Sequence, residues 1–469
     1  MTSSVAMQAM DAARTGRVQD MDILLGGIPR SGTTALARAV ALHPEIFCWS
    51  SESALLPVMD QVTMGLPMRR ENQLLVERML FRQLKSVLID KSDWHREIIG
   101  VVPTVELTLE AVHRLAVDAT GILGKNLRRD QALQECGQLL ARFFRQYTTR
   151  RLIAEKTPSN ALLVPGMLGL ARRWLVTHRE PFAVIASMYA RSTADPWGEV
   201  MAGEIEQRVG LYSRHAQCIA SAGLHSTEVM VVPFDELLSN PSHTLARACA
   251  FLGVESTSDY LDRVVGIVGG PTTTDAWERV TPLNRWKILH LCASEMSALG
   301  YSQDYYQVPF EHMIQGTPKA LESCIEPLYG VFKAAEPDRL AWMQRSSSLA
   351  VYAPIGINTL VLRIYNQISP LIEHSCAPGL AVDDLRIQAH NIGPDNCSVL
   401  LSELSLASDF CKDWLIDLHA AEPVGHHGNW RLLRINFETN FAYTPCLTLV
   451  DAADERTFSV GLAGCRLEV

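Results

Sequence analysis

The residues best suited to chemistry lie in two short runs. The first is Gly27-Ile-Pro-Arg-Ser-Gly-Thr-Thr34, which follows the apolar run Met21–Gly26 and leads into ALARAVAL, where apolar residues at 36, 39, 40 and 42 mark one helical face. A glycine turn at a helix N-terminus offers unbonded N–H groups and the positive end of the helix dipole to an anion. The alternative use of these glycines is tight strand–helix packing. The second run holds Arg179, Ser187 and Arg191. Ser187 and Arg191 are one helical turn apart and share a face, while Arg179 sits at the end of the preceding strand. Two such anion pockets on one sheet call for a ligand with two separated anionic groups.

The elements that must position these runs repeat a strand-then-helix order. Met21–Gly26 leads into the helix 33–42. RRWLVTH (172–178) is followed by Pro181, a first-turn proline, and FAVIASMYARS. EVMVVPFDELL, with a strand at 229–232, is followed by Asn240-Pro241 and a helix ending near Gly253. Three such units predict an α/β fold, a P-loop-like doubly wound parallel sheet, over residues 21–302. The glycines at 27 and 32 have nucleoside-triphosphate P-loop spacing, but Thr33 replaces the following lysine and Arg30 supplies a cation earlier. Residues 53–150 read as a helical insertion, with Asp130 as a candidate cap, expected above the carboxyl ends of the strands.

Beyond Tyr301 the pattern changes. Residues 303–348 read as a helical connector, and 349–469 as a smaller, mainly-β domain. Its short runs LRIQAH, VLLSELSLA, WLIDLHA, RLLRINFET, CLTLV and TFSVGL are separated by GPDN, GHHGN and DAADER, as in a sandwich or barrel. A boundary there predicts that a chain ending near Ser346 folds alone. Residues 1–20 are an N-terminal extension without a signal-peptide core.

Composition bounds the class. With 469 residues, 48% hydrophobic and 20% charged, the chain is globular rather than disordered. Its net charge of −9 argues against a nucleic-acid partner. Residues 346–469 carry 7 basic and 14 acidic side chains, leaving the rest nearly neutral. That acidic part suits a neutral acceptor, a protein partner or a second copy of the chain, so a homo-oligomer through it stays open. Eleven scattered cysteines without CxxC spacing fit buried thiols in a reducing, cytoplasmic compartment. Leu349–Ile364 is interrupted by Asn358 and Arg363, which speaks against a bilayer span. His43 reads as structural and His426-His427 as a turn rather than a metal site.

With these residues in view, the chain resembles sulfotransferases that use 3′-phosphoadenosine 5′-phosphosulfate (PAPS), nearest to the carbohydrate- and tyrosylprotein-type branches. PRSGTT resembles their 5′-phosphosulfate loop, and HREPFAVIASMYARS their 3′-phosphate motif. VPFDELLSNPSHTLARACAFLGV resembles a later strand–helix segment, and NRWKILHLCASEMSALGYS a domain ending. The resemblance implies that Arg30, Ser31, Gly32, Thr33 and Thr34 hold the 5′ group, that Arg179, Ser187 and Arg191 hold the 3′-phosphate, and that Arg285 adds a basic contact. It implies Glu52, in the segment after HPE, as general base. Lys156, in AEKTPSN, is implied as the group approaching the leaving oxygen. Phe234 departs from a tyrosine common in relatives, which removes a hydroxyl contact.

The implied reaction moves a sulfuryl group from PAPS to an acceptor hydroxyl on a sugar, phenol, tyrosine or small metabolite, with no metal required. The product PAP (3′-phosphoadenosine 5′-phosphate) would occupy both pockets. Charge on the leaving phosphate can be stabilised by fixed cations and N–H groups alone. A P-loop kinase remains the first alternative, although its lysine is missing and the second strand ends in Arg179. A non-catalytic PAP-binding scaffold is the other. No code in the sequence specifies the acceptor.

Overall fold

A computed structural model of the chain describes residues 21–49, 52–63, 68, 72–90, 107–125, 127–192, 205–223, 226–268, 282–301, 325–332, 341–365, 386–394, 397–405, 411–427, 430–440 and 460–468. Its first layer is a five-stranded parallel sheet in the order β2-β3-β1-β4-β5. The strands are β1 (Met21–Gly27), β2 (Ile46–Cys48), β3 (Leu152–Lys156), β4 (Ala171–His178) and β5 (Val229–Pro233). Around them run α1 (Thr33–Ala41), α2 (Leu55–Thr63), α3 (Gln73–Lys85), α4 (Leu109–Leu123), α5 (Arg129–Arg145) and α6 (Pro181–Ser192). They are followed by α7 (Ile205–Gly223), α8 (Phe234–Ser239), α9 (Pro241–Leu252), α10 (Ser258–Val268), α11 (Pro282–Leu291) and α12 (Ala293–Ala298).

Both faces of the sheet are covered, which is why β1 reads as the nearly unbroken apolar run MDILLGG. On one face Leu36, Val40, Leu245 and Val264, from α1, α9 and α10, pack on Ile23, Leu25 and Leu175. On the other, Phe144, Val184 and Tyr212, from α5, α6 and α7, pack with Leu24, Ile153 and Trp174. The chain leaves β1 toward β2 and β3 on one side and returns to β4 and β5 on the other. The switch falls between β1 and β4, so the carboxyl ends of these strands are where a sheet of this order takes a ligand.

The insertion does not all lie above that edge. Helix α5 runs along the sheet face, where the Phe144 ring lies 6.1 Å from that of Phe47. Arg145 donates to the Asp22 carboxylate at 3.1 Å, near the amino end of β1. The four apolar residues Leu139, Leu140, Phe143 and Phe144 of α5 are all buried, so apolar burial draws this helix onto the sheet. Asp130 is not the cap. Arg128 holds that position, and its guanidinium donates to the Asp130 carboxylate.

The second layer is an antiparallel sheet of nine strands. These are β6 (Ile325–Phe332), β7 (Ala341–Pro354), β8 (Thr359–Tyr365), β9 (Arg386–Ile392), β10 (Ser398–Ser405), β11 (Cys411–Asp417), β12 (Gly425–His427), β13 (Trp430–Thr439) and β14 (Val460–Glu468). The path is β10-β9-β13-β7-β14-β8-β11, with β12 on β13 and β6 on β7. Trp414 Nε1 on β11 donates to Ser402 Oγ on β10 at 2.9 Å, so the two end strands of this path curl toward each other. The sheet wraps a core of its own containing Val351, Leu362, Trp414, Ile435 and Phe437.

Two expectations are corrected here. Residues 325–332 and 341–348, read as helical connector, are β6 and the first half of β7, and a boundary at 348/349 falls inside a strand. The reason is a period of two: Leu349, Val351 and Ala353 enter the inner core, while Ala350 and Tyr352 face the helices. The three serines at 346–348 add little helix propensity to oppose it. His426 and His427 lie on β12, paired with Arg431 and Trp430, rather than in a turn. CLTLV lies outside the described residues.

The outer face of β7 and β13 meets α7, α11 and α12. Tyr352, Leu432 and Ala350 join the same apolar cluster as Tyr212 and Trp286. Buried polar pairs cross the same seam. Tyr352 Oη donates to Glu206 at 2.9 Å and Arg434 donates to Glu295, while Lys287, on the helical side of the seam, pairs with the same Glu206. The Arg434 and Glu295 side chains are 2% and 0% exposed. Among the cysteines, Cys48, Cys136, Cys249 and Cys292 are buried as expected. Cys397, Cys411 and Cys465, all in the second sheet region, are exposed. Among the described residues, no helix is long and apolar enough to cross a membrane.

Candidate active site

The turn between β1 and α1 is shaped by left-handed backbone at two residues, Arg30 (φ 73°) and Gly32 (φ 87°). Gly32 is further constrained by a neighbour, because a Cβ there would collide with the Phe234 ring at the start of α8. Ile28 N–H donates to the Thr177 carbonyl at 3.1 Å, and Ser31 N–H to the Ile28 carbonyl at 2.9 Å. Ser31 Oγ donates to the Thr177 carbonyl at 3.0 Å and lies 2.8 Å from Thr177 Oγ1. Ser31 N–H therefore closes the turn on itself, and Ser31 Oγ braces the turn against β4. Thr33 and Thr34 open α1, whose first-turn N–H groups have no intrahelical acceptor. The first turn of α1 carries no acidic residue, so the helix end stays electropositive.

The second run meets this turn. Arg30 Nε donates to Ser187 Oγ at 3.1 Å, joining residues that lie 157 positions apart. At the mouth of β4, the Arg179 guanidinium lies 5.1 Å from the centroid of the Phe234 ring, the ring that also packs on Gly32. Arg179 is 8% exposed, and its Nε is buried without a hydrogen-bond partner among the described residues. A buried donor left unmade costs free energy, so this atom fits an anionic oxygen supplied by a ligand. The N-terminus of α6 is already occupied, since Glu180 accepts from the N–H groups of Phe182 and Ala183. Arg191 lies one turn beyond Ser187 on α6, and its side chain is outside the described part of the structure. Arg285 is half-buried on α11, which packs against α6 and α7. His178 bonds Tyr301 Oη through Nδ1 at 2.9 Å, and burial lowers it to about 4, keeping a neutral ring at neutral pH.

A third group completes the edge. Lys156 Nζ lies 2.8 Å from Glu52 Oε1, with the lysine side chain 0% and the glutamate 29% exposed. In the sheet register Lys156 stands opposite Leu25, two residues before the turn at Gly27. The corner carrying Glu52 is clamped to β3 by Glu155. This carboxylate accepts from Ser53 N–H at 3.0 Å, Ser53 Oγ at 2.8 Å, Thr157 Oγ1 at 2.6 Å and Asn160 Nδ2 at 2.6 Å. Thr157 Oγ1 in turn accepts from Ala54 N–H at 3.1 Å, and Ala54 itself is left-handed at φ 54°. Glu155, Thr157 and Asn160 were not anticipated, although they flank the lysine in AEKTPSN. The available signal was a carboxylate in an apolar strand followed by two short hydrogen-bonding side chains. His43 is structural: its Nε2 donates to the Glu255 carbonyl at 2.9 Å, and its Nδ1 accepts from Glu45 N–H.

This edge thus combines an uncapped helix N-terminus, buried cations and a partly exposed carboxylate held by a buried lysine. The chain belongs to the sulfotransferase family, whose sequence profile matches residues 22–259. Among solved structures it is similar to the sulfotransferase domain from the Synechococcus PCC 7002 olefin synthase, with 20% identity, 56% of this chain and 88% of that chain covered, and a TM-score of 0.34. It is similar to sulfotransferase STF9 from Mycobacterium avium at 12% identity, covering 64% of this chain and 81% of that one, with a TM-score of 0.36. Mouse sulfotransferase SULT7A1 complexed with PAP is 12% identical over 65% of this chain and 92% of that one, with a TM-score of 0.33. No curated protein matches the chain.

Proposed function

We propose that the chain is a sulfotransferase that takes its sulfuryl group from PAPS and delivers it to an acceptor hydroxyl. The observation that carries this reading is the Arg30–Ser187 contact, which joins two separately legible anion-binding runs into one site. Family membership supports the transferase class. The N–H groups of Thr33 and Thr34, with Arg30 and the close turn at Gly32, would hold the 5′ end of the donor. Arg179 and Ser187 would hold its 3′-phosphate, with Arg191 and Arg285 as further basic contacts. When bound, the donor supplies a sulfuryl group whose bond to the phosphate oxygen breaks as the acceptor oxygen bonds sulfur.

Within that scheme Glu52 accepts the acceptor's proton, and Lys156 neutralises charge on the departing oxygen. The 2.8 Å Lys156–Glu52 contact keeps the carboxylate aimed until an acceptor arrives. This pairing supports the carbohydrate- and tyrosylprotein-type resemblance in its catalytic residues, while leaving the acceptor to be argued separately.

The test is ligand-induced stabilisation. PAP in EDTA should raise the melting temperature, because a ligand of the native state alone stabilises it, and Mg·ATP should do much less. Arg179→Ala should remove most of the PAP effect, since a charge-assisted contact is worth about 1.5–3 kcal/mol. Equal stabilisation by Mg·ATP would favour a kinase instead.

A further inference from the structure

Beside the Glu52 corner lies a cavity of about 380 Å³. One wall is Ser53 and Ala54, the two residues directly after Glu52, continuing into Leu55 and Val58 of α2. The opposite wall is Leu80 and Leu84 of α3, with Val87 of the helical turn Ser86–Asp90 that follows. The size falls in the range of small-molecule sites. The composition of the walls is the informative part. Its polar members are few: Arg82 is exposed, Ser86 and Gln83 are half-buried, and Ser53 Oγ is committed to Glu155.

We propose that this cavity takes an alcohol or phenol whose hydroxyl is carried on an apolar body, and places that hydroxyl at the Glu52 side. A glycoside entering the same space would lose water from several hydroxyls and find too few partners for them, and each unmade bond costs affinity. An aliphatic or aromatic body loses nothing of that kind and gains by leaving water. The clamp on Ser53 ties that wall of the pocket to the Glu52 corner, so a body seated against Val58 and Leu84 would hold its hydroxyl toward that corner. The fate of that hydroxyl rests on the sulfotransferase reading above. Occupancy of the cavity does not.

The two are separated by measuring binding directly. Fluorescence titration of the full chain with 2-naphthol, in the presence of PAP, should show saturable binding, and methyl β-D-glucoside should not displace it. Val58→Trp and Val87→Trp, made separately because either could impair folding, should each weaken 2-naphthol binding at least tenfold while leaving the PAP-induced rise in melting temperature intact. With labelled PAPS, the same variants should raise the KM for 2-naphthol sulfation with little change in the KM for PAPS. Absence of 2-naphthol binding, binding untouched by both tryptophans, or displacement by the glucoside would overturn the proposal, even if another acceptor were sulfated. Naphthol binding that follows the two variants without any sulfation would uphold the pocket and count against the transfer reaction instead.

Discussion

Glu52 and Glu155 meet at one corner, where Ser53, the residue after Glu52, donates to Glu155, yet their surroundings are opposite, and that difference supports the proposed division of roles. Glu52 is partly open to solvent and shares one buried cation, so it can exchange a proton with a ligand. Glu155 is 1% exposed, with Ser53 N–H, Ser53 Oγ and Thr157 Oγ1 donating to its Oε1 and Asn160 Nδ2 to its Oε2, so burial and these four donors commit it to holding the corner. Glu52→Gln should leave PAP affinity within about twofold and lower turnover on the order of 10²–10⁴-fold, as loss of a general base does. Rapid sulfation by that variant would move the base elsewhere. Glu155→Gln should act differently, since an amide nitrogen must now face donors. Its kcat should fall at least about tenfold through misplacement of Glu52, with KM for PAPS unchanged and the pH dependence of kcat displaced. A Glu155→Gln enzyme with only a lower melting temperature and an unaltered pH profile would reduce Glu155 to a structural role.

The turn at Gly27–Gly32 shows how an element, rather than a residue, shapes the proposed donor site. Its shape depends on contact with α8 as much as on its own backbone. Gly32→Ala combines a left-handed φ with a collision against Phe234, and strain of this type costs about 1–3 kcal/mol. The variant should melt lower and bind PAP more weakly. Adding Phe234→Ala should restore only part of the loss, because the collision is relieved and the φ strain is not. Full recovery in thermal denaturation would show that the backbone strain is negligible. The strand–turn–helix units at β1, β4 and β5 were legible because each strand is apolar and each helix start is marked by Gly, Pro or Asn-Pro. Two other strands were not. Strand β2 is only three residues long, and β3 was noticed for its lysine rather than its pairing. The insertion was legible as helical, but not its docking, since Phe143 and Phe144 do not say which surface they cover. The Glu155 clamp stayed hidden because its partners lie up to 102 positions away.

At the scale of the molecule, the two sheets share a seam that sequence composition argued against. The charge difference between the halves pointed to separate cores. The second sheet does enclose one, but its outer face closes the core around α7 and α12 as well. A chain ending at Ser346 loses Tyr352, Leu432 and Arg434, leaving Glu206 short of one partner, Glu295 without its cation, and the apolar face around Tyr212 and Trp286 open to water. Exposing a core face of that kind removes a large share of ordinary domain stability. Such a chain should aggregate or melt far below the full-length protein when both are followed by light scattering and calorimetry. A stable truncated monomer that binds PAP would restore the independent-domain picture. The same seam bears on synthesis. Glu295 leaves the ribosome 139 residues before Arg434, an interval of about 7–28 s at ~5–20 residues per second. Throughout that interval the nearly finished parallel-sheet half carries the Glu295 carboxylate without its arginine partner, on a helix meant to be buried. The nascent chain therefore exposes this face to chaperones until the last strands arrive, and slowing translation between these two residues should prolong that exposure.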